Sequence, residues 1–478
     1  MEIILLLITL LFAGGLSFFI KKGSSAGMVT LSGQIIAAVF SFLLCVRAAG
    51  GVPLEVLNFF YIDGLSAFFL LLIAVSSMAT AFYSLWYFKN DENTGFYYFL
   101  FNIFVFSMYF VVTVNNLGMM WMAVEITTLA SAFLVGYRNN KTAVEAAWKY
   151  VIICSVGITL ALFGIILFYY TASSQTGLRN LNWTELNAAG KFLDPMVVKA
   201  ALIFIIIGFG TKAGLAPMHN WLPDAHSQAP TPISALLSGV LLKASFYAII
   251  RFVIIASKSV GFSFCGNILG LFGIISLAVA AFFMLVQKDI KRLLAYSSVE
   301  HMGIVSLGFY FGGKAGIFGA LFHAFNHALA KSLMFFSSGV IIKKYGTNNM
   351  HQIKGALEVL PFAASAAFLG MFAIAGLPPF SIFMSEFTVL YAGFKNGFYY
   401  SSSALLIFLA IIFGALLFHF SSMLYGKKPA NMSASKESAG ITALFGVMLL
   451  FLLALGFHIP DFLRTLIGAA SNVIFGVE

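Results

Sequence analysis

Glu125, Lys149, Lys212, Lys243, Lys331 and Glu386 lie inside the apolar stretches of a 478-residue chain of which only 9% is charged. An ionisable side chain at membrane depth costs roughly 2.5–3.5 kcal/mol on insertion scales, so such residues face the protein interior and mark ion or proton pathways. Glu125 falls within Met-Trp-Met-Ala-Val-Glu-Ile-Thr-Thr-Leu. The chemistry this suggests is a Glu–Lys pair, with Glu125 holding Lys212 protonated until a proton arrives or leaves. A static buried ion pair is the other reading. Lys243 sits too deep to snorkel to the interface. His323, His327 and Lys331 follow one another at intervals of four, which places them on one helix face about 6 Å apart. Two histidines so spaced can bind zinc, but the sequence offers no evident third ligand and a lysine continues the row. A proton relay is the better reading, and no metal site is expected.

Other polar groups border these positions. His219 and the run Trp221-Leu-Pro-Asp224-Ala-His226 supply titratable groups where a proton entrance needs them. Glu300-His301 supplies a partner for the histidine row or lies at the interface. Lys149 is near Glu145 and pairs with it at the surface or joins the buried set. Asp63 precedes an apolar run, where a helix cap is as good a reading as a functional one.

Membrane helices must position these residues. The chain is 61% hydrophobic with a mean hydropathy of +0.97, and apolar runs of about 20 residues recur from end to end. The predicted fold is all-α and polytopic, with fourteen helices near 3–20, 27–48, 62–87, 96–114, 117–136, 146–170, 198–222, 232–256, 266–286, 293–311, 315–342, 358–395, 401–425 and 440–459. The first run ends in Lys21-Lys22 instead of following a positive segment, so it reads as a retained helix and not a cleaved signal. The stretch 171–197 is the one sizeable loop. Lysines and arginines concentrate in the loops that follow odd-numbered helices, among them Lys21, Lys89, Arg138, Lys288, Lys291, Arg292 and Lys343. By the positive-inside rule both termini then face away from the cytoplasm.

Pro217 and the pair Pro378-Pro379 fall inside membrane-length segments and should break the seventh and twelfth helices. Broken helices at that depth are tolerated where they are buried or line a cavity. Ala-Gly-Leu-Ala-Pro at 213–217 reappears as Ala-Gly-Leu-Pro-Pro at 375–379. Ala146 and Lys149, followed by Ser155 and Gly157, match Ala328 and Lys331, followed by Ser337 and Gly339. These echoes predict two five-helix repeats of opposite orientation, the plan of many transporters. The division expected is 1–95 for the first three helices, 96–256 and 266–425 for the repeats, and 440–478 for the last helix and tail.

Composition excludes several functions. Cys45, Cys154 and Cys265 are isolated and read as small buried hydrophobes. No GxGxxG or P-loop is present, so no cofactor is expected in this chain and redox or ATP chemistry belongs to other subunits. The net charge of +10 is scattered singly, which argues against nucleic acid.

Longer motifs add a resemblance. The run from Ala216 to Lys243, Asp289-Ile-Lys-Arg-Leu-Leu-Ala-Tyr-Ser-Ser, His323-Ala-Phe-Asn-His327-Ala-Leu-Ala-Lys331, and Gly376-Leu-Pro-Pro-Phe through Ser385-Glu386-Phe resemble the antiporter-like subunits of respiratory complex I, Mrp cation/proton antiporters and energy-converting hydrogenases. The likeness covers nearly the whole chain. Ser-Val-Glu300-His301-Met-Gly and the compact length look most like component F of hydrogenase-4, in the membrane arm of formate hydrogenlyase-type complexes. The family implies fourteen helices, two inverted repeats, and a functional glutamate and lysines at Glu125, Lys149, Lys212, Lys243 and Lys331, with Glu386 on the twelfth helix. The largest members continue into a lateral helix; this chain ends soon after the fourteenth. The resemblance implies a proton-translocating subunit in a prokaryotic cytoplasmic membrane. Its partners would be other membrane subunits and a peripheral arm carrying nickel–iron and iron–sulfur centres. The alternatives are a member of an Mrp-type cation/proton antiporter, a proton-coupled member of an inorganic-carbon uptake complex, and a scaffold with vestigial charges.

Overall fold

The computed structural model describes residues 1–430 and 432–476. Ten of its helical segments are long and apolar enough to cross a membrane by length and composition. They are α2 (Gly23–Ala48), α3 (Gly64–Tyr87), α4 (Gly95–Thr113), α5 (Leu117–Val135, extended to Arg138), α6 (Lys141–Thr176), and the composite segments Pro195–Gln228 and Thr231–Val260, followed by Phe262–Leu285, Tyr399–Leu424 and Ala439–Phe457. The other predicted spans are also helical but fall short in length or apolar content: α1 (Glu2–Phe18), Ile290–Phe311, Gly313–Tyr345, and the pair Pro361–Ile374 and Ser381–Lys395. Internal polar residues lower the hydropathy of the second and third of these, and a break divides the last.

The burial pattern is concentric. Thr231–Val260 is buried from Thr231 to Ala256, and Gly313–Tyr345 is buried from Ile317 to Ile342 apart from Phe318. Peripheral helices turn apolar faces outward, as Phe12, Ile152, Val156, Phe282, Phe418 and Leu450 do. Such a belt suits lipid, and it leaves the centre as the place where polar groups can be enclosed.

The stretch 171–197 is more ordered than a loop. α6 continues to Thr176, and α7 (Trp183–Ala189) follows. The segment is tied down because Leu117 N donates to Leu181 O and Trp183 N donates to Asn115 O, both at 2.8 Å. Two further elements were not read from the sequence. One is a hairpin of β1 (Leu54–Val56) and β2 (Phe60–Ile62). The other is a C-terminal helix, Asp461–Phe475, whose Ala469 and Ala470 press on Gly64 of α3.

Both proline sites, Pro217 and Pro378-Pro379, interrupt their helices as expected. α8 (Pro195–Ala213) stops at Gly214 and α9 (Trp221–Gln228) resumes beyond Pro217. Next come α10 (Thr231–Leu236), a π-helical turn at Leu237–Leu241, and α11 (Leu242–Val260), where a single uninterrupted helix was expected. α12 (Phe262–Leu285), α13 (Ile290–Phe311), α14 (Gly313–Tyr345) and the short α15 (Ala356–Val359) lead to the second break. There α16 (Pro361–Ile374) stops before Gly376 and α17 (Ser381–Lys395) resumes beyond Pro379. α18 (Tyr399–Leu424), α19 (Ala439–Phe457) and α20 (Asp461–Phe475) complete the chain.

The two breaks share one hydrogen-bond pattern. Gly214 N donates to Thr211 O at 3.3 Å, Leu215 N to Gly210 O at 2.9 Å, and Met218 N to Leu215 O at 3.0 Å. Gly376 N, Leu377 N and Phe380 N repeat these bonds to Ala373 O, Phe372 O and Leu377 O at 3.3, 3.1 and 3.0 Å. Each break turns at a glycine of positive φ, +77° at Gly214 and +67° at Gly376, which a side chain would strain. A cis peptide lies in each, at Ala216–Pro217 and Pro378–Pro379.

Candidate functional site: a buried polar row between two helix breaks

Lys212, in the last turn of α8, is fully buried. Its position near a helix C-terminus suits a cation. Its Nζ donates to Thr128 Oγ1 at 2.8 Å and to Tyr150 OH at 2.5 Å, and Tyr150 OH meets Ser131 Oγ at 2.7 Å. Glu125 makes no direct ion pair with Lys212. Ser155 Oγ donates to Glu125 Oε1 at 2.9 Å, and Thr128 Oγ1 lies 3.4 Å from Glu125 Oε2. Thr128 therefore stands between the carboxylate and the amine. The expected contact pair is corrected to a bridged one, because one turn of α5 brings Thr128 beside Glu125 and into reach of Lys212. Glu125 is itself only partly buried.

Lys149 lies outside the buried set. It is half-exposed and pairs with Glu145 at 2.7 Å and with Asp224 at 3.5 Å. Arg292 closes on the same Asp224. Of the proposed entrance residues, only Asp224 is in this partly exposed cluster. His219 and His226 are buried. His226 stacks on Phe335 at 5.4 Å, and neither of its ring nitrogens has a hydrogen-bond partner, so it is an interior residue and not a boundary one.

Lys243 follows the π-helical turn after one residue, Leu242. Its Nζ donates to Ser238 O at 2.6 Å and meets His327 Nδ1 at 2.5 Å. The His327 ring lies against that of His301 at 4.4 Å between centroids, tilted by 38°. His301 Nδ1 meets His323 Nε2 at 2.8 Å, and His323 Nδ1 meets Ser385 Oγ at 3.0 Å. Glu386 is the next residue. Lys331 donates to Leu294 O at 2.6 Å and to Ser297 Oγ. Glu300, His301, His323, His327, Lys331 and Glu386 are all buried. Glu300 is thus an interior carboxylate and not an interface one.

The row is therefore continuous in direct contacts from Lys243 to Ser385, beside Glu386. Between Lys212 and Lys243 no hydrogen bond or ion pair is found among the described residues, and Leu222 and Leu242 pack against Gly214 there. Such an arrangement can pass protons along imidazoles and hydroxyls, with water needed to close the apolar gap and the His327–His301 step, where the rings touch without a hydrogen bond.

Three features escaped the sequence reading. Tyr150 and Thr128 hold Lys212, but a hydroxyl in an apolar helix carries no distinguishing pattern. Lys291, counted among the loop charges, is fully buried and donates to Ala229 O at 2.6 Å; its place in Asp289-Ile-Lys-Arg was the available signal. Arg251 and Asp63 form a buried bidentate pair at 2.7 and 2.8 Å. Asp63 also caps α3 through Ser66 N at 2.9 Å, and Trp183 lies over the guanidinium at 4.3 Å.

Comparisons with known proteins agree with this architecture. A family model described as NADH:quinone oxidoreductase/Mrp antiporter, TM, matches residues 114–417. The hydrogenase-4 component F homolog of Methylacidiphilum infernorum is 38% identical over 413 residues, which cover 84% of this chain and 86% of that protein. A Na(+)/H(+) antiporter subunit of Alkalihalophilus pseudofirmus is 29% identical, over 92% of this chain and 58% of its own length. A chain of the membrane-bound sulfane sulfur reductase, an archaeal respiratory membrane complex, superposes with a TM-score of 0.89 at 24% identity, covering 100% of this chain and 98% of that one.

Proposed function

The chain belongs to the NADH:quinone oxidoreductase/Mrp antiporter family of membrane proteins, and from that premise we propose that it moves protons within a membrane-bound [NiFe]-hydrogenase complex of hydrogenase-4 or formate hydrogenlyase type, or a related complex I-like oxidoreductase. The observation that carries this reading is the buried contact row from Lys243 through His327, His301 and His323 to Ser385 and Glu386. Its similarity over most of both chains to a hydrogenase-4 component F homolog supports the hydrogenase assignment.

In this reading protons pass between Glu125, Lys212, Lys243, the histidines, Lys331 and Glu386, with Thr128 and Tyr150 as relays and water between Lys212 and Lys243. Lys149 has no part in the buried route. In the same reading redox chemistry belongs to partner subunits: nickel–iron and iron–sulfur centres reside on a peripheral arm and drive the transfers electrostatically. One charge moved against 100 mV requires about 2.3 kcal/mol, which the partner's redox reaction supplies. The helices are taken as fourteen spans with two inverted five-helix repeats, 96–256 and 266–425. Both termini lie on the outer side of a prokaryotic cytoplasmic membrane.

The test is proton uptake into vesicles by the assembled complex. Lys212→Ala and Glu125→Gln are expected to abolish uptake while redox turnover and assembly persist; full pumping by either variant would remove the mechanism. The second reading, membership of an Mrp-type exchanger, is favoured by the similarity, along 92% of this chain, to the Na(+)/H(+) antiporter protein of Alkalihalophilus pseudofirmus. Co-purification with small exchanger subunits and no redox subunits would select it.

A further inference from the structure

The second break gathers metal-ligating side chains that the sequence keeps apart. His301 on α13, His323 on α14 and Glu386 on α17 each present a ligand atom, and the three atoms lie within 4.8 Å of one another. All three residues are buried. His301 Nε2 and Glu386 Oε1 have no hydrogen-bond partner. Polar atoms left unpaired at such depth are costly, so they point to a further occupant.

The surroundings are those of a built site. Ser385 Oγ engages His323 Nδ1 at 3.0 Å, which leaves Nε2 directed at His301. An outer hydrogen bond of this kind fixes the tautomer and ring plane of a metal-bound histidine. A Cβ on Gly376 would strike the Glu386 carboxylate, so the glycine of the break makes room for that group. Glu300, beside His301 in sequence and likewise buried, also leaves its Oε2 without a hydrogen-bond partner. Lys243 and Lys331 oppose a cation by charge, but neither amine is hydrogen-bonded to a ligand atom: that of Lys243 is directed at His327 and Ser238 O, and that of Lys331 at Leu294 O and Ser297.

We propose that His301, His323 and Glu386 form a binding site for a divalent transition-metal ion of the zinc type. Two imidazoles and a carboxylate suit that ion and leave a fourth position for water. With bonds of about 2.0–2.2 Å, tetrahedral ligand atoms sit roughly 3.4 Å apart. The widest separation in the triangle, which is within 4.8 Å, therefore shortens on loading. Loading breaks the hydrogen bond between His301 Nδ1 and His323 Nε2, because the Nε2 lone pair of His323 turns to the ion, while the proton stays on His301 Nδ1; both rings are then immobilised. The site stands independently of the proposed function; the block it would place on proton transfer rests on that reading.

The experiment is a Co²⁺ titration of the purified complex, read by visible ligand-field absorption and by metal content relative to variant complexes, which cancels metals held by other subunits. One saturable Co²⁺ per chain with tetrahedral-type absorption, displaced by Zn²⁺, is expected. His323→Gln and Glu386→Gln should each weaken binding at least tenfold. Ser385→Ala, which keeps all three ligands, should weaken it by about 10–100-fold. His351→Ala and His458→Ala, at exposed positions, should leave it unchanged. No saturable binding, or binding that survives the three interior changes, means an adventitious ion only and overturns the site. Saturable binding with the expected variant losses but no slowing of proton uptake by Zn²⁺ upholds the site and removes the proposed route through these histidines.

Discussion

The surroundings of the two breaks are alike in backbone and opposite in chemistry. Lys212 stands two residues before Gly214; the residue two before Gly376 is the apolar Ile374. Asp224 stands ten residues after Gly214 and Glu386 ten after Gly376, yet Asp224 lies in a partly exposed ion-pair cluster and Glu386 is enclosed. The first break therefore uses a buried cation cradled by hydroxyls, and the second a buried carboxylate beside imidazoles. Hydroxyls relay protons without taking charge themselves, whereas imidazoles store them. A shared break geometry thus provides two kinds of station, and Lys243 in the fully buried central segment lies next to the second.

Four substitutions test that contrast, beginning with the largest effect. Lys243→Ala should lower proton translocation by about 100-fold or more, the scale of a lost acid–base group, with redox turnover measured in parallel. Near wild-type flux would mean the second region works without it. Arg251→Ala should cost about 3–5 kcal/mol of stability by stranding Asp63, seen as a lowered unfolding midpoint of the purified complex. This pair lies on neither row and should alter stability far more than flux. Thr128→Val should slow translocation about tenfold, since a hydrogen bond to a charged group is worth about 1.5–3 kcal/mol; an unchanged rate would show that Glu125 and Lys212 communicate without the hydroxyl. Lys149→Ala should leave flux within about twofold, as expected of an exposed pair. A large loss would return Lys149 to the pathway and make the halves more alike.

Much of this was legible in the chain. Apolar runs marked the spans, and the prolines marked both interruptions because a missing N–H and a ring clash act locally. The one-face row of His323, His327 and Lys331 followed from helical spacing. What spacing cannot report is which distant helix faces that row. His301 was visible only as part of a polar patch, and its contacts with His323 and His327 depend on how α13 packs on α14. Lys291 was misplaced because charge counting assigns a basic residue near a helix start to the loop, whereas the Ala229 carbonyl just beyond α9 draws it inward. The Asp63–Arg251 pair spans nearly the whole first half of the chain, beyond the reach of any local pattern. The hairpin and α20 were missed because they are short or amphipathic and leave no membrane-length apolar run.

The π-helical turn at Leu237–Leu241 carries a last consequence, for the reading frame of the helix itself. A π turn accommodates about one residue more than an α turn, and each residue rotates an α-helix by about 100°. Everything from Lys243 onward therefore points where it does because of that single extra unit of length. Deleting one residue here would barely change hydropathy and would remove no titratable group, yet would swing the amine away from His327 by roughly a quarter turn. In this helix the chemistry depends on a count of residues as well as on their kinds.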